Sequence, residues 1–244
     1  MKAQIFYEAE KMKLEEIPIP DVTDIDVLVK IINVGICGSD ISYYYGLSPV
    51  GTANGKGPIV LGHEFTGEVI EVGKVPQSMG LYKPGDRVVV NPVQNCNACL
   101  PCAKGQTHLC ENLNVPGVTV NGAFAEYCVS RYTGLFKLPE KVSYASGAFT
   151  EPFACVVNAI RKLAIEPGDF VVISGPGAMG MMMTQLCKSV GAGKIALIGA
   201  TNDDWRLEQG KNFGADYIFN VAEKKSKYYK EDLKSGRAAC RGRG

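Results

Sequence analysis

The spacing of apolar positions along the chain changes once, near residue 143, and the change divides the sequence. Before it, apolar residues come in short runs at 1–8, 27–32, 66–72, 86–90 and 124–129, the middle three rich in Val and Ile. Such residues suit a pleated, half-buried surface. Pro18, Pro20, Pro49, Pro58, Pro84 and Pro92 punctuate the runs where turns or strand starts belong. This half is predicted to be β-rich and barrel-like.

From Ser143 the period lengthens. Residues 144–162 carry apolar side chains at helical spacing. Pro167-Gly168-Asp169 then turns the chain into Phe170-Val171-Val172-Ile173, a wholly apolar strand of the kind buried in a parallel sheet. A helix over 181–190, a strand over 194–198, a helix over 204–213 and a strand over 217–221 follow. That β-α-β-α-β order is half of a doubly wound nucleotide-binding sheet. Beyond Ala222 the pattern stops, and 223–244 sets eight Lys and Arg against three acidic residues. It reads as a basic, solvated, disordered tail. The predicted domains are therefore 1–155, containing a cysteine-rich lobe at 91–113, then 156–222, with the tail at 223–244.

Composition narrows the function. A net charge of +1 argues against a nucleic-acid binder, which would show a strong basic excess. No apolar run reaches the ~18 residues of a membrane span. The start of the chain carries no signal-like apolar region with a small-residue cleavage site, so the expectation is a cytoplasmic protein. Nine cysteines is an odd number, and four of them cluster. In a reducing compartment such a cluster reads as a metal site rather than a disulfide framework.

Three patterns carry chemistry. His63-Glu64 sets an imidazole beside a carboxylate, and zinc takes neutral imidazole, thiolate and carboxylate as ligands. Cys37 upstream and Glu151 downstream are candidate partners that folding would have to bring in. A catalytic zinc keeps three protein ligands and one open position, and Cys37, His63 and a glutamate would supply them. The plainer alternative is a turn histidine beside a surface charge. Cys96-x2-Cys99-x2-Cys102-x7-Cys110 offers four thiolates, a closed tetrahedral set and hence a structural zinc. His108, inside that lobe, is either a competing ligand or a surface residue.

Gly175-x-Gly177-x-x-Gly180 follows the apolar strand and opens a helix. In that context Gly177 lets a pyrophosphate approach the backbone and the helix N-terminus faces it, the alternative being close helix–strand packing. The next strand ends at Gly199-Ala200-Thr201 without the usual ribose-binding acid. Thr201 and Arg206 would tolerate a 2′-phosphate, while Asp203 could serve NAD, so NAD and NADP both stay open.

Gly35-Ile36-Cys37-Gly38-Ser39-Asp40, Gly62-His63-Glu64-x-x-Gly67, Pro84-Gly85-Asp86-Arg87-Val88, Gly122-Ala123-Phe124-Ala125-Glu126-Tyr127, Glu151-Pro152, the four-cysteine lobe and the glycine turn occur in this order. On these motifs the chain resembles the zinc-dependent medium-chain alcohol dehydrogenases, above all their polyol (sorbitol or iditol) and threonine dehydrogenase branches. The resemblance implies an α/β protein with a GroES-like β-barrel catalytic domain followed by an incomplete Rossmann doubly wound sheet. It implies two zincs, one catalytic and one structural, and NAD or NADP bound at Gly175, Gly177, Met179, Gly180, Thr201 and Arg206.

By the same likeness Cys37 and His63 are zinc ligands, while Glu64 and Glu151 share the remaining positions directly or through water. Glu151 stands where simple alcohol dehydrogenases carry a third cysteine, which points toward polyols. Ser39 would take the hydroxyl proton, and Ser42 stands where many relatives have a relay histidine. Tyr43 is either a substrate contact or a core tyrosine. The implied reaction moves a hydride between a secondary alcohol or polyol and NAD(P). Relatives run further, complete the sheet and are homo-oligomers. The expectation is therefore a C-terminally truncated member whose first Rossmann strand is an open edge, or alternatively a catalytically inactive zinc-binding fragment.

Overall fold

Antiparallel register organises the first half of the chain. The computed structural model describes residues 1–48, 51, 52, 55 and 57–222. The turn expected at Pro49 and the basic tail at 223–244 lie outside these residues. The elements of the first half are β1 (Lys2–Glu8), β2 (Lys11–Glu16), β3 (Asp26–Gly35), α1 (Gly38–Tyr44), β4 (Ile59–Val60), β5 (Glu64–Val72) and α2 (Lys74–Ser78). They continue with β6 (Arg87–Val90), α3 (Leu100–Ala103), β7 (Tyr127–Arg131), β8 (Leu135–Lys137) and α4 (Tyr144–Ala148).

Five of the strands form one antiparallel sheet in the order β7-β3-β5-β6-β8, and three form a second, β2-β1-β4. Alternate residues of the larger sheet, Val27 and Val29 on β3 with Phe65, Val69, Val88 and Val90, turn to one face and make a core with Leu135 and Cys128. Each such side chain contributes ~1.5–3 kcal/mol on burial. Phe6, Tyr43, Ile59 and Leu61 make a second cluster under the smaller sheet.

The strand predicted over 124–129 divides its loyalties. Residue 125 bridges to Ala3 of β1, and Phe124 accepts a hydrogen bond from the Gln4 N–H at 2.8 Å. Only from Tyr127 does the segment pair along β3. This switch joins the two sheets.

The second half comprises α5 (Thr150–Leu163), β9 (Phe170–Ser174), α6 (Ala178–Ser189), β10 (Lys194–Gly199), α7 (Asp204–Asn212) and β11 (Tyr217–Asn220). The helix expected over 144–162 is two helices, α4 and α5. Pro152 explains the break: in a continuous helix it would remove a backbone hydrogen bond, whereas in the first turn of a new one its missing N–H costs nothing. The three strands are parallel in the order β11-β10-β9. Ile173, Ile195 and Leu197 pack with Val156, Ile160, Met182 and Leu207 into a core of their own.

The apolar run 170–173 predicted a fully buried strand, but β9 lies at the edge of the sheet and Val172 is 54% exposed. Among the described residues no further strand flanks it, so the open edge implied by the family resemblance is what is found. The chain divides into two compact units, the first running from Met1 to Glu151 and the second beginning at Pro152. Among the described residues no helix is long and apolar enough to cross a membrane.

Candidate metal centres and nucleotide turn

β3 ends at Gly35, and the chain turns into α1 with Cys37 at its N-cap. Asp40, in the first turn, reaches back so that its carboxylate accepts the Cys37 N–H at 2.8 Å, half of a capping box. The same carboxylate accepts the N–H of Gly62 at 3.3 Å. Gly62 precedes His63, so one buried side chain ties together two loops distant in sequence. Burial pushes the Asp40 carboxyl up, against the pull of these two N–H groups and of His63.

Glu64 opens β5 and pairs directly opposite Gly35. A Cβ at Gly35 would run into the Glu64 carboxylate, so the missing side chain makes room for that acid. The result is a convergence: a Cys37 sulfur, a His63 ring nitrogen and a Glu64 oxygen lie within 4.8 Å of one another. Glu151, in the first turn of α5, falls outside that set but is near enough for its charge to act on His63 and Glu64. Burial raises its carboxyl above the usual range, His63 opposes this, and Glu64 adds to it.

The chemistry of this donor set fits a divalent cation. Burial pulls the His63 imidazolium down, yet the Cys37 sulfur and the Asp40 and Glu151 carboxylates outweigh it and lift the pKa to about 8. A pocket that favours positive charge on a buried ring is suited to a metal ion. His63 Nδ1 is buried and, among the described residues, has no hydrogen-bond partner, while Asp40 Oδ1 faces it at 3.7 Å. A carboxylate behind a ring nitrogen is the arrangement that orients a metal-ligating imidazole. Asp40 was not singled out from the sequence, although its position three residues after Cys37 is the capping-box spacing.

The neighbouring residues of α1 take different roles. Ser39 is half-buried in the first turn. The Ser42 hydroxyl donates to the Gly38 carbonyl at 2.9 Å, within its own helix. Tyr43 is a core tyrosine, its ring 6.4 Å from that of Phe6, because this face of α1 packs toward β1 and β4.

The four-cysteine lobe also converges, with the sulfurs of Cys96, Cys99, Cys102 and Cys110 within 4.8 Å of one another. Asn97 takes a left-handed φ of 59°, which turns Cys96 and Cys99 toward a common centre. N–H groups of Cys96 and Ala98 point at the sulfurs of Cys110 and Cys96 at 3.3 and 3.4 Å. The backbone N–H groups of Ala98 and Cys99 draw the Cys96 thiol down to about 6, while burial and its neighbouring thiols push Cys102 up to about 11. His108 is exposed on a short turn and is not part of the set.

A buried amide fastens this lobe to the sheet, and nothing in the sequence marked it. Gln94 is 1% exposed; its Nε2 donates to Ser130 Oγ at 2.6 Å, and its Oε1 accepts the Arg131 N–H at 3.0 Å.

In the second unit Gly177 is the N-cap of α6, and a Cβ there would meet nothing within 4 Å. Gly180 differs: a Cβ would strike the Gly175 carbonyl, so this glycine serves the close approach of helix to turn. Met179 is 40% exposed beside them. Past β10, Thr201 is exposed. The Asp203 carboxylate is already engaged, accepting the Ala200 N–H at 2.9 Å and Arg206 Nη1 at 3.3 Å.

A β-domain with two thiol-bearing donor clusters, and a glycine-turned parallel sheet, define the architecture of zinc-type dehydrogenases. Residues 23–140 match the alcohol dehydrogenase GroES-like domain. The chain is 36% identical to sorbitol dehydrogenase of Bacillus subtilis over 224 residues, covering 91% of this chain and 62% of that protein. It is 34% identical over 239 residues to an uncharacterized zinc-type alcohol dehydrogenase-like protein of Haemophilus influenzae, covering 98% of this chain and 67% of that one. A Sinorhizobium meliloti structure described as a "putative zinc-binding dehydrogenase" bound to NADP superposes with a TM-score of 0.81 at 30% identity, over 92% of this chain and 63% of that one. The chain belongs to the zinc-type alcohol dehydrogenase family. It spans 62% of the length of the Bacillus subtilis enzyme.

Proposed function

We propose that this chain carries the metal-binding and coenzyme-binding parts of a zinc-dependent oxidoreductase that moves a hydride between a secondary alcohol or polyol and NAD or NADP. The observation that carries this reading is the convergence of Cys37, His63 and Glu64 donor atoms within 4.8 Å. Cys37, His63 and Glu64 would hold the catalytic zinc, with Glu151 near enough to take a further position or to bind through water. When bound, zinc supplies a Lewis acid that lets an alcohol lose its hydroxyl proton near neutral pH.

Ser39, two residues past Cys37, is the hydroxyl suited to receive that proton. Ser42 is engaged with Gly38, so the proton would pass to solvent water. Asp40 holds both ligand loops by their backbone N–H groups and sets its charge 3.7 Å from the imidazole ring. The four-thiol lobe would hold the second zinc with no position left open, a structural role. The pyrophosphate of the coenzyme would lie at the N-terminus of α6, where Gly177 leaves the backbone bare and unpaired N–H groups favour an anion. Glu151 and the 36% identity to a sorbitol dehydrogenase favour polyols. Cys37, Cys96, Cys99, Cys102, Cys110, Cys128 and Cys187 are unbridged thiols, which fits a reducing compartment such as the cytoplasm.

The test combines a metal count with NAD(P)H absorbance, offering sorbitol, threonine and simple secondary alcohols to the 244-residue chain. Two zincs per chain, with turnover that disappears in Cys37→Ser, support the reading. Full zinc loading without turnover leaves a zinc-binding protein and removes the catalytic claim.

A further inference from the structure

Glu64 and Thr66 are two residues apart on β5 and so face the same way. Glu64 turns to the metal donors. Thr66 is 0% exposed, and a buried hydroxyl is costly unless it is hydrogen-bonded. It is: Thr66 Oγ1 donates to the Tyr144 carbonyl at 2.8 Å.

Tyr144 is the first residue of α4, and α4 leads into α5 through Phe149, whose φ of −75° and ψ of −5° keep the backbone near-helical. Glu151 is the second residue of α5. Phe149 alone separates the two helices, so an anchor at Tyr144 lies on a short, near-helical path to Glu151. The seat is tight: a Cβ on Gly147 of α4 would come within 2.8 Å of Thr66 Cγ2. Arg87, on the neighbouring β6, adds a second tie by donating to the carbonyls of Pro139, Glu140 and Val142, with its guanidinium 4.4 Å from the Tyr144 ring.

We propose that Thr66 is a positioning residue for the metal site, setting through Tyr144 how closely Glu151 approaches Glu64 and His63. The proposal rests on the metal-site reading above. Ligand constellations work only when held to within ~0.5 Å, and on the metal-site reading Glu64 and Glu151 would both be offered to one ion. The strand that presents the first acid thereby sets the distance of the second.

The test uses the whole 244-residue chain with cobalt(II) as the metal probe. Thr66→Val keeps the shape and removes the donor. The expected result is about ten-fold weaker cobalt binding at the Cys37 site and an altered d–d spectrum there, with the thiolate charge-transfer bands of the four-cysteine lobe unchanged. Thr66→Ser, which keeps the hydroxyl, restores the wild-type spectrum. In an E151Q background, Thr66→Val has no further effect, as a residue acting through Glu151 requires.

A folded Thr66→Val chain with wild-type cobalt affinity and spectrum overturns the proposal, as does a full additive effect in E151Q. If Thr66→Val does not fold, Arg87→Lys loosens the same segment. A folded Arg87→Lys chain is expected to show a smaller change in the same direction, and an unchanged spectrum overturns the proposal equally. Failure of the metal-site reading looks different: Cys37→Ser alone then removes no cobalt from the chain.

Discussion

Asp40 Oδ1 stands 3.7 Å from His63 Nδ1, while the other oxygen of the same carboxylate holds the N–H of Cys37. One acid therefore ties the backbone of one donor loop and sets its charge against the imidazole of the other. Asp40→Asn keeps the size but removes the charge. Zinc affinity at this site is expected to fall by ten- to a hundred-fold, while the stability of the metal-free chain is expected to change little, because burial already works against the charged form and an amide oxygen still accepts an N–H. Chelator competition and urea unfolding measure the two effects separately. Unchanged zinc affinity would show that the ring is oriented by other means.

The cysteine lobe predicts a different pattern. Cys99→Ser should lower the metal count from two zincs to one while leaving the Cys37 site loaded. Gln94 couples the lobe to Ser130 and Arg131 of β7, so the same variant should also lower the unfolding midpoint of the β-domain. Elemental analysis and calorimetry on one preparation check both.

Asp216 gives a pH dependence whose sign follows from its surroundings. Burial works against its charged form, but the Ile195 N–H at 2.9 Å and Lys194 at 3.1 Å, with Lys188 beyond, outweigh this and hold the carboxyl below its usual value. A folded-state pKa below the unfolded one contributes stability that is present above the unfolded value near ~3.9 and is lost as pH falls through the folded value. Asp216→Asn is therefore expected to cost about 1 kcal/mol at pH 7, with the gap to wild type closing below pH ~4. Urea titrations of both proteins at each pH read the difference, so that acid release of metal, common to both, cancels.

Coenzyme choice turns on Arg206. The acid nearest the end of β10, Asp203, already spends both oxygens on Ala200 and Arg206. Thr201 and the half-exposed Arg206 guanidinium flank the same turn. NADP is therefore expected to bind more tightly than NAD, and Arg206→Ala to remove most of that preference. Fluorescence titration of both nucleotides against both proteins decides it; equal affinities in wild type would assign the turn to NAD as readily as to NADP.

Much of this protein is written locally. The change from short Val- and Ile-rich runs to helical spacing near Ser143 was legible because period reports which face of an element is buried. The Cys96-x2-Cys99-x2-Cys102 spacing was legible because a two-residue gap turns successive thiolates toward one point, whereas Cys110 is brought in by the fold. Gly175 and Gly180 were legible because a positive φ and a missing Cβ are properties of the residue. His63-Glu64 announced two donors side by side.

Tertiary structure decided the rest, for the physical reason that pairing and burial are relations between distant residues. Cys37 meets His63 and Glu64 only because β3 pairs with β5 in the register that sets Gly35 opposite Glu64. A register shift between Ile31 and Asn33 lies on that path, and no local pattern marks it. Spacing could not choose between Glu64 and Glu151 as the closer carboxylate, nor send Tyr43 to the core instead of to a substrate. Val172 looked like an interior residue, yet whether a strand is buried depends on which strand lies beside it, and that is never encoded in the strand alone.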